Sequence, residues 1–289
     1  MKRTVLIDGH NLLFRYFQGM PPTIFAINGR RIHAAYGMIA DILRTIKLFL
    51  PTTIIVCFDS QMPSERAAHF PAYKSNRALA DTTNLSSPFE QLDIVYDALH
   101  VLGIPWVELP GIEADDLIGS YAHAAGNQEV IIVSSDKDYL QLISDTITLY
   151  VRRGKNETRF TPQLVHDTFG VTPKQYVDFK ALTGDASDNI PGVTGIGTKR
   201  AASLLQLYYT VDNLYEHLFE LSPHMQALLS GTREDVVRNQ KLIKIQTTLP
   251  VKQELFEACF HRPMLDTPVR KIFLHLGLFA EKFKAISSE

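Results

Sequence analysis

"VIIVSSDKDYLQL", residues 130–142, runs from an unbroken apolar stretch into two aspartates, Asp136 and Asp138, with a single lysine between them. Four consecutive Val and Ile residues fit a buried strand of the kind parallel sheets use. Carboxylates at the end of one strand mean little, because Asp is a common cap and turn residue. The pattern repeats, however. "TVLID" (4–8) ends in Asp8 and "TIIVCFD" (53–59) ends in Asp59.

Further strands are predicted at 104–107 and 146–151, with helical periodicity at 36–50, 89–102 and 114–125 between them. Such alternation predicts an α/β fold with a mostly parallel central sheet flanked by helices. From about residue 161 strand signals fade, and helices are expected at 161–169, 172–182 and 198–208, where Thr or Thr-Pro stands at each start. The expected division is an α/β core over 1–175 and a helical region over 176–289. Two segments break the pattern. Residues 60–88 are polar and too long for an ordinary connection, and 184–200, "GDASDNIPGVTGIGTKR", is dense in Gly and Asp.

The 289 residues are 45% hydrophobic and 21% charged, ordinary for a globular protein with a sizeable core. Cys57 and Cys259 lie too far apart to suggest a disulfide framework or a cysteine metal site, so a reducing compartment is expected. Nothing approaches the roughly 18 apolar residues of a membrane span. Polar Asp8, His10 and Asn11 interrupt the N-terminal apolar run too early for a secretory leader. A cytoplasmic protein with no membrane partner is the expectation.

In an open parallel sheet, ligands gather at the carboxyl ends of the strands, so Asp8, Asp59, Asp136 and Asp138 should share one cleft. "GIEADD" adds Glu113, Asp115 and Asp116 at a helix start, where acids could also serve the helix dipole alone. The glycine-rich segment adds Asp185 and Asp188. Nine carboxylates cannot all ionise in one cleft without cations. Oxygen-only ligands select Mg²⁺ or Mn²⁺ over zinc, and so many of them suggest two ions about 4 Å apart, an arrangement suited to phosphodiester hydrolysis. The net charge of −2 argues at first against a nucleic-acid partner. With the nine cleft acids set aside, basic residues outnumber the remaining acids, as a phosphate-backbone binder requires.

"LIDGHNLLFR", "FD" at 58–59, "YKSNR" at 73–77, "GIEADD", "SSDKDYLQL" and "LTGDASDNIPGVTGIGTKRA" stand in the order seen in bacterial 5′–3′ exonucleases. Over roughly residues 3–280 the chain resembles that family, including the N-terminal nuclease domain of DNA polymerase I and the wider flap endonucleases. With no polymerase following, a free-standing, monomeric member is expected, with a DNA polymerase as a candidate partner. The resemblance implies a PIN-like core and a metal-dependent nuclease acting on 5′ ends and 5′ flaps of branched DNA, with RNA-primer removal among its roles. It assigns Asp8, Asp59, Glu113 and Asp115 to a first metal, and Asp116, Asp136, Asp138, Asp185 and Asp188 to a second.

The family's arch corresponds to residues 60–88. There Lys74 and Arg77 are expected at the scissile phosphate and Tyr73 against a base. "GVTGIGTKRAASLL", within a helix–hairpin–helix type element near 184–206, implies a duplex grip. Gly192, Gly195 and Gly197 would admit phosphates, Thr198 would cap the next helix, Lys199 and Arg200 would add charge, and K⁺ is a candidate ion. Two departures from the family pattern concern Glu65, which replaces an aromatic before Arg66, and Arg200, which replaces a threonine. A phosphatase using strand-end aspartates would need an Asp where His10 stands. A PIN-like ribonuclease would lack the 184–200 element. A non-catalytic binder of branched DNA is the alternative from another class.

Overall fold

A computed structural model of the chain describes residues 2–75, 87–257 and 268–279. Its main sheet has the strand order β3-β2-β1-β4-β5-β6. The strands are β1 (Arg3–Asp8), β2 (Thr53–Cys57), β3 (Trp106–Val107), β4 (Glu129–Val133), β5 (Ile147–Arg153) and β6 (Asn156–Phe160). The first five pair in parallel, and β6 returns antiparallel on β5. The expected α/β architecture is present. Edge strand β6 was not foreseen, because "NETRF" is exposed except at its last residue and offers no apolar run to read.

Successive strand residues point to opposite faces, so each apolar run feeds two cores. On one face Leu6, Ile55 and Ile132 pack with Leu117, Ile118 and Tyr121 of the helix Ala114–Ala124, and this core continues into the C-terminal helices. On the other, Val5, Ile7, Val56 and Ile131 meet Met38, Ile39 and Ile42 of the helix His33–Phe49, with Leu99 of the helix Leu92–Leu102. Each such aliphatic side chain, fully buried, contributes about 1.5–3 kcal/mol. Phe273 of the helix Val269–His275 closes this second core. The predicted helices appear within a few residues of their expected ends. The helix Gly9–Gly19 is unmarked in the sequence, and its start depends on Asp8, whose side chain accepts from the Asn11 amide at 3.1 Å.

The chain moves outward from β1 to β2 and β3, then crosses to the other side of β1 for β4 and β5. That reversal leaves a crevice at the carboxyl ends of β1 and β4. Asp8 closes β1, Ser134 to Asp136 follow β4, and Asp59 lies just past β2. Against this edge sit the helix Tyr176–Thr183 and a short hairpin of β7 (Gly184–Asp185) and β8 (Ile190–Pro191). Gly192 is required there by packing, since a Cβ would lie 2.3 Å from the Thr183 carbonyl carbon.

Candidate metal centre

The strand-end aspartates do cap turns, but each uses one oxygen for it. Asp8 Oδ1 accepts from the Asn11 amide, while Oδ2 accepts from the hydroxyls of Ser134 and Tyr139, both at 3.0 Å. Asp136 caps the turn Lys137–Leu142 by accepting from the Asp138 amide (2.8 Å), and Asp185 accepts from the Ser187 amide (2.9 Å). Asp59 accepts from the Ala114 amide at 2.7 Å, and its second oxygen lies 3.1 Å from His10 Nδ1. Capping therefore orients these carboxylates. Asp8, Asp59, Asp115 and Asp136 line one cavity of about 1340 Å³ together with Lys74, His10 and Tyr139.

Asp136 also lines a neighbouring cavity with Asp185 and Lys180. Among the described residues, carboxylate oxygens of Asp138, Asp185 and Asp188 gather within 4.8 Å of one another. Lys180, not singled out by the sequence reading, sends its ammonium to both Asp138 and Asp185. Burial, despite Lys180 and reinforced by Asp136 and Asp185, pushes Asp138 up to about 7. Burial and the charges of Asp59 and Asp136 likewise raise Asp8 to about 6. Asp185 is held below the usual range, since Lys180 outweighs its burial. Buried carboxylates whose pKa stays raised, Asp138 even beside Lys180, are not fully neutralised, and an all-oxygen donor set suits a hard divalent cation. The residues present fit such an ion.

The "GIEADD" acids divide. Arg66, 8% exposed, approaches Glu113 and Asp115 at 3.4 Å and pairs with Asp116 at 2.6 Å. Asp116 Oδ1 also accepts from the Gln246 amide at 2.7 Å, and Asp116 lines neither cavity. Asp116, expected at the second metal, thus ties the C-terminal region to the core through Arg66 and the Gln246 amide. Glu113 also lies behind the cleft, accepting from Ser64 Oγ at 2.6 Å and from the Lys74 ammonium. Burial would raise Glu113, but Lys74 and Arg66 hold it below its ordinary value. The nine acids therefore form graded groups rather than one shell. Arg66 could have been found from the sequence only as a basic residue in the polar segment, where the change at Glu65 had cast doubt on its contact.

Tyr73, expected against a base, is 5% exposed here, and its hydroxyl donates to Glu113 Oε2 at 3.2 Å. Lys74 lines the cavity. Desolvation opposes its charge, but Asp115 and Glu113 keep it protonated. Arg77 lies outside the described residues, as do 76–86 of the expected arch.

In the glycine-rich element the helix Thr198–Tyr208 is capped by Gly197, with no side-chain cap. Thr198 is its first helical residue, which corrects the expectation that Thr198 caps it. Gly195 adopts φ +86°, and Gly197 faces open space. Arg200 donates to the Gly195 carbonyl at 2.5 Å, and Lys199 is exposed. Lys199 and Arg200 are thus exposed in the first turn of this helix, whereas Gly192 serves internal packing.

Comparison with known proteins agrees with this fold. Residues 3–170 match the family described as 5′-3′ exonuclease, N-terminal resolvase-like domain, and residues 171–265 match 5′-3′ exonuclease, C-terminal SAM fold. The chain is similar to DNA polymerase I of Mycobacterium tuberculosis H37Rv, at 38% identity over 257 residues, covering 86% of this chain and 28% of the relative. It is also 34% identical to the thermostable DNA polymerase I of Thermus aquaticus over 252 residues, covering 86% and 29%. The chain thus spans less than a third of the length of these relatives. A bacteriophage T5 flap endonuclease solved with DNA and metal ions shares the fold, with TM-score 0.70, 23% identity, and coverage of 96% of this chain and 99% of that one. The T5 5′-exonuclease with zinc bound aligns equally well, with TM-score 0.70, 23% identity, and coverage of 96% and 100%. No described helix is long and apolar enough to cross a membrane.

Proposed function

The chain belongs to the 5′-3′ exonuclease family, and from that membership and its cleft we propose a Mg²⁺-dependent, structure-specific 5′ nuclease that hydrolyses phosphodiesters at 5′ ends and 5′ flaps of branched DNA. The observation that carries the reading is the gathering of Asp138, Asp185 and Asp188 beside a cavity lined by Asp8, Asp59, Asp115 and Asp136. Two Mg²⁺ ions, or Mn²⁺ in their place, would be held by these two groups of acids. Bound there, they would supply Lewis-acid polarisation of the phosphodiester.

The chain's own side chains do the rest. Ser134 and Tyr139 fix the Asp8 carboxylate, and His10 and the Ala114 amide fix Asp59, so the acids need no reorganisation when substrate arrives. Lys74 can turn from Glu113 toward a phosphate and stabilise charge that grows on it. Arg77, outside the described residues, shares that role in this reading. Glycines 195 and 197, the amides of residues 197–200, Lys199 and Arg200 hold the duplex phosphates away from the cut, with K⁺ as a companion ion.

We take residues 1–175 as the nuclease core and 176–289 as the duplex-binding region. The biological setting is replication and repair in the cytoplasm, including removal of RNA-primed 5′ ends, by a monomer working beside a DNA polymerase. The test is cleavage of a labelled 5′-flap duplex against a single strand of the same sequence. Mg²⁺-dependent cutting near the flap junction supports the reading. Tight flap binding with no cutting would favour a non-catalytic binder of branched DNA.

A further inference from the structure

Two non-glycine residues with left-handed backbone stand on segments that touch directly, Lys74 at φ +54° and Asn189 at φ +56°. Asn tolerates this conformation better than most side chains, whereas Lys has no local reason to adopt it. Something must therefore hold Lys74. The Lys74 amide donates to the Asp188 carbonyl at 3.0 Å. Asn189 Nδ2 donates to the Ala72 carbonyl at 2.9 Å and to Ser75 Oγ at 3.3 Å. These bonds bracket Lys74 on both sides and join segments more than a hundred residues apart in the chain.

We infer that Asn189 is a positioning residue for Lys74, through which the turn carrying the Asp185 and Asp188 carboxylates sets the ammonium in the cleft. This rests on the nuclease reading above. Backbone conformation fixes the direction of the Cα–Cβ bond, so a Lys74 that relaxed to the right-handed region would send its side chain elsewhere than toward Glu113 and the cavity. Asn suits position 189 because it combines tolerance of positive φ with a side-chain donor of the right reach. Gly offers only the first, and Asp lacks the donor. The pairing of β7 with β8 and the bond from the Asn189 amide to the Ala186 carbonyl (3.4 Å) hold the turn itself. The Asp188 backbone that accepts from Lys74 also carries a carboxylate of the three-acid group, so one short turn orders both.

The experiment is a double-mutant cycle of Asn189→Gly with Lys74→Ala, read by single-turnover cleavage of a 5′-flap duplex at saturating DNA in Mg²⁺. Flap affinity in Ca²⁺ and hydrogen exchange at the Lys74 amide are measured alongside. Gly keeps the left-handed backbone and removes only the side-chain bonds. The expected result is a rate lower by on the order of ten- to a hundredfold, as for a displaced catalytic group. Flap affinity stays unchanged, exchange at Lys74 quickens, and no further loss appears in the Lys74→Ala background. Equal losses in both backgrounds would mark Asn189 as merely structural, and unchanged rate and exchange would equally overturn the inference. If Asn189→Gly does not fold, Asn189→Asp, which keeps the shape and loses the donor, is read by the same criteria. A wild-type chain that does not cut refutes the nuclease reading instead, and the exchange measurement then decides the link between Asn189 and Lys74 by itself.

Discussion

The ammonium of Lys180 hydrogen-bonds the carboxylate of Asp138, 42 positions earlier in the chain, and reaches Asp185 as well. An internal cation thus sits where two proposed metal ligands meet. Its side chain is only 11% exposed, so removing it strands buried negative charge. Lys180→Met should cost about 3 kcal/mol of stability in EDTA. Saturating Mg²⁺ should recover part of that loss, since ions binding only the folded state stabilise it. Thermal melts in both media check this. Equal losses with and without Mg²⁺ would detach Lys180 from the metal centre.

Lys74 and the glycine-rich element should fail in different ways. A group acting on charge that grows during attack lowers the rate at saturating substrate, whereas uniform binding alters affinity. Lys74→Ala should slow single-turnover cleavage by about 10²-fold or more. Its flap affinity should hold. Normal cutting at saturation would leave Lys74 as a bystander.

Lys199→Ala combined with Arg200→Ala should weaken flap binding and reduce the log–log salt slope by about one to two, because each lost phosphate contact releases about one counterion fewer. Binding in Ca²⁺ over a salt series reads this directly. An unchanged slope would move the duplex grip elsewhere.

Much of the centre was legible because strand periodicity and strand-end aspartates are both local signals. The apolar runs at 4–8, 53–59 and 130–133 located the sheet, and its carboxyl edge located Asp8, Asp59 and Asp136. What stayed hidden depends on contacts between distant segments. Nothing near Lys180 announces that its ammonium faces Asp138, and nothing near Arg66 announces Asp116. The resemblance sets Tyr73 against a base, and nothing near it in sequence announces that the Glu113 carboxylate gives its hydroxyl a buried partner. Thr198 looked like a cap by residue type, but the backbone places Gly197 there.

The bond from Tyr73 to Glu113 can be tested by itself. Tyr73→Phe keeps the ring and removes the donor to Glu113, so it should destabilise the fold by about 1 kcal/mol, the usual worth of such a bond. Single-turnover cleavage should change little. Denaturant unfolding beside the cleavage assay separates the two effects. Unchanged stability with lost cleavage would restore Tyr73 to a role against the substrate.

The most direct test of the central claim is single-turnover cleavage of a 5′-flap duplex as a function of Mg²⁺, for the wild-type chain and for Asp138→Asn. The account predicts no cutting in EDTA, a rate rising with Mg²⁺ for the wild type, and near-complete loss in Asp138→Asn, where metal stabilisation of the transition state is removed. Flap binding in Ca²⁺ should be retained by the variant, because a negative charge near DNA has gone. Cleavage by Asp138→Asn at the wild-type rate, or cutting that persists in EDTA, would contradict it.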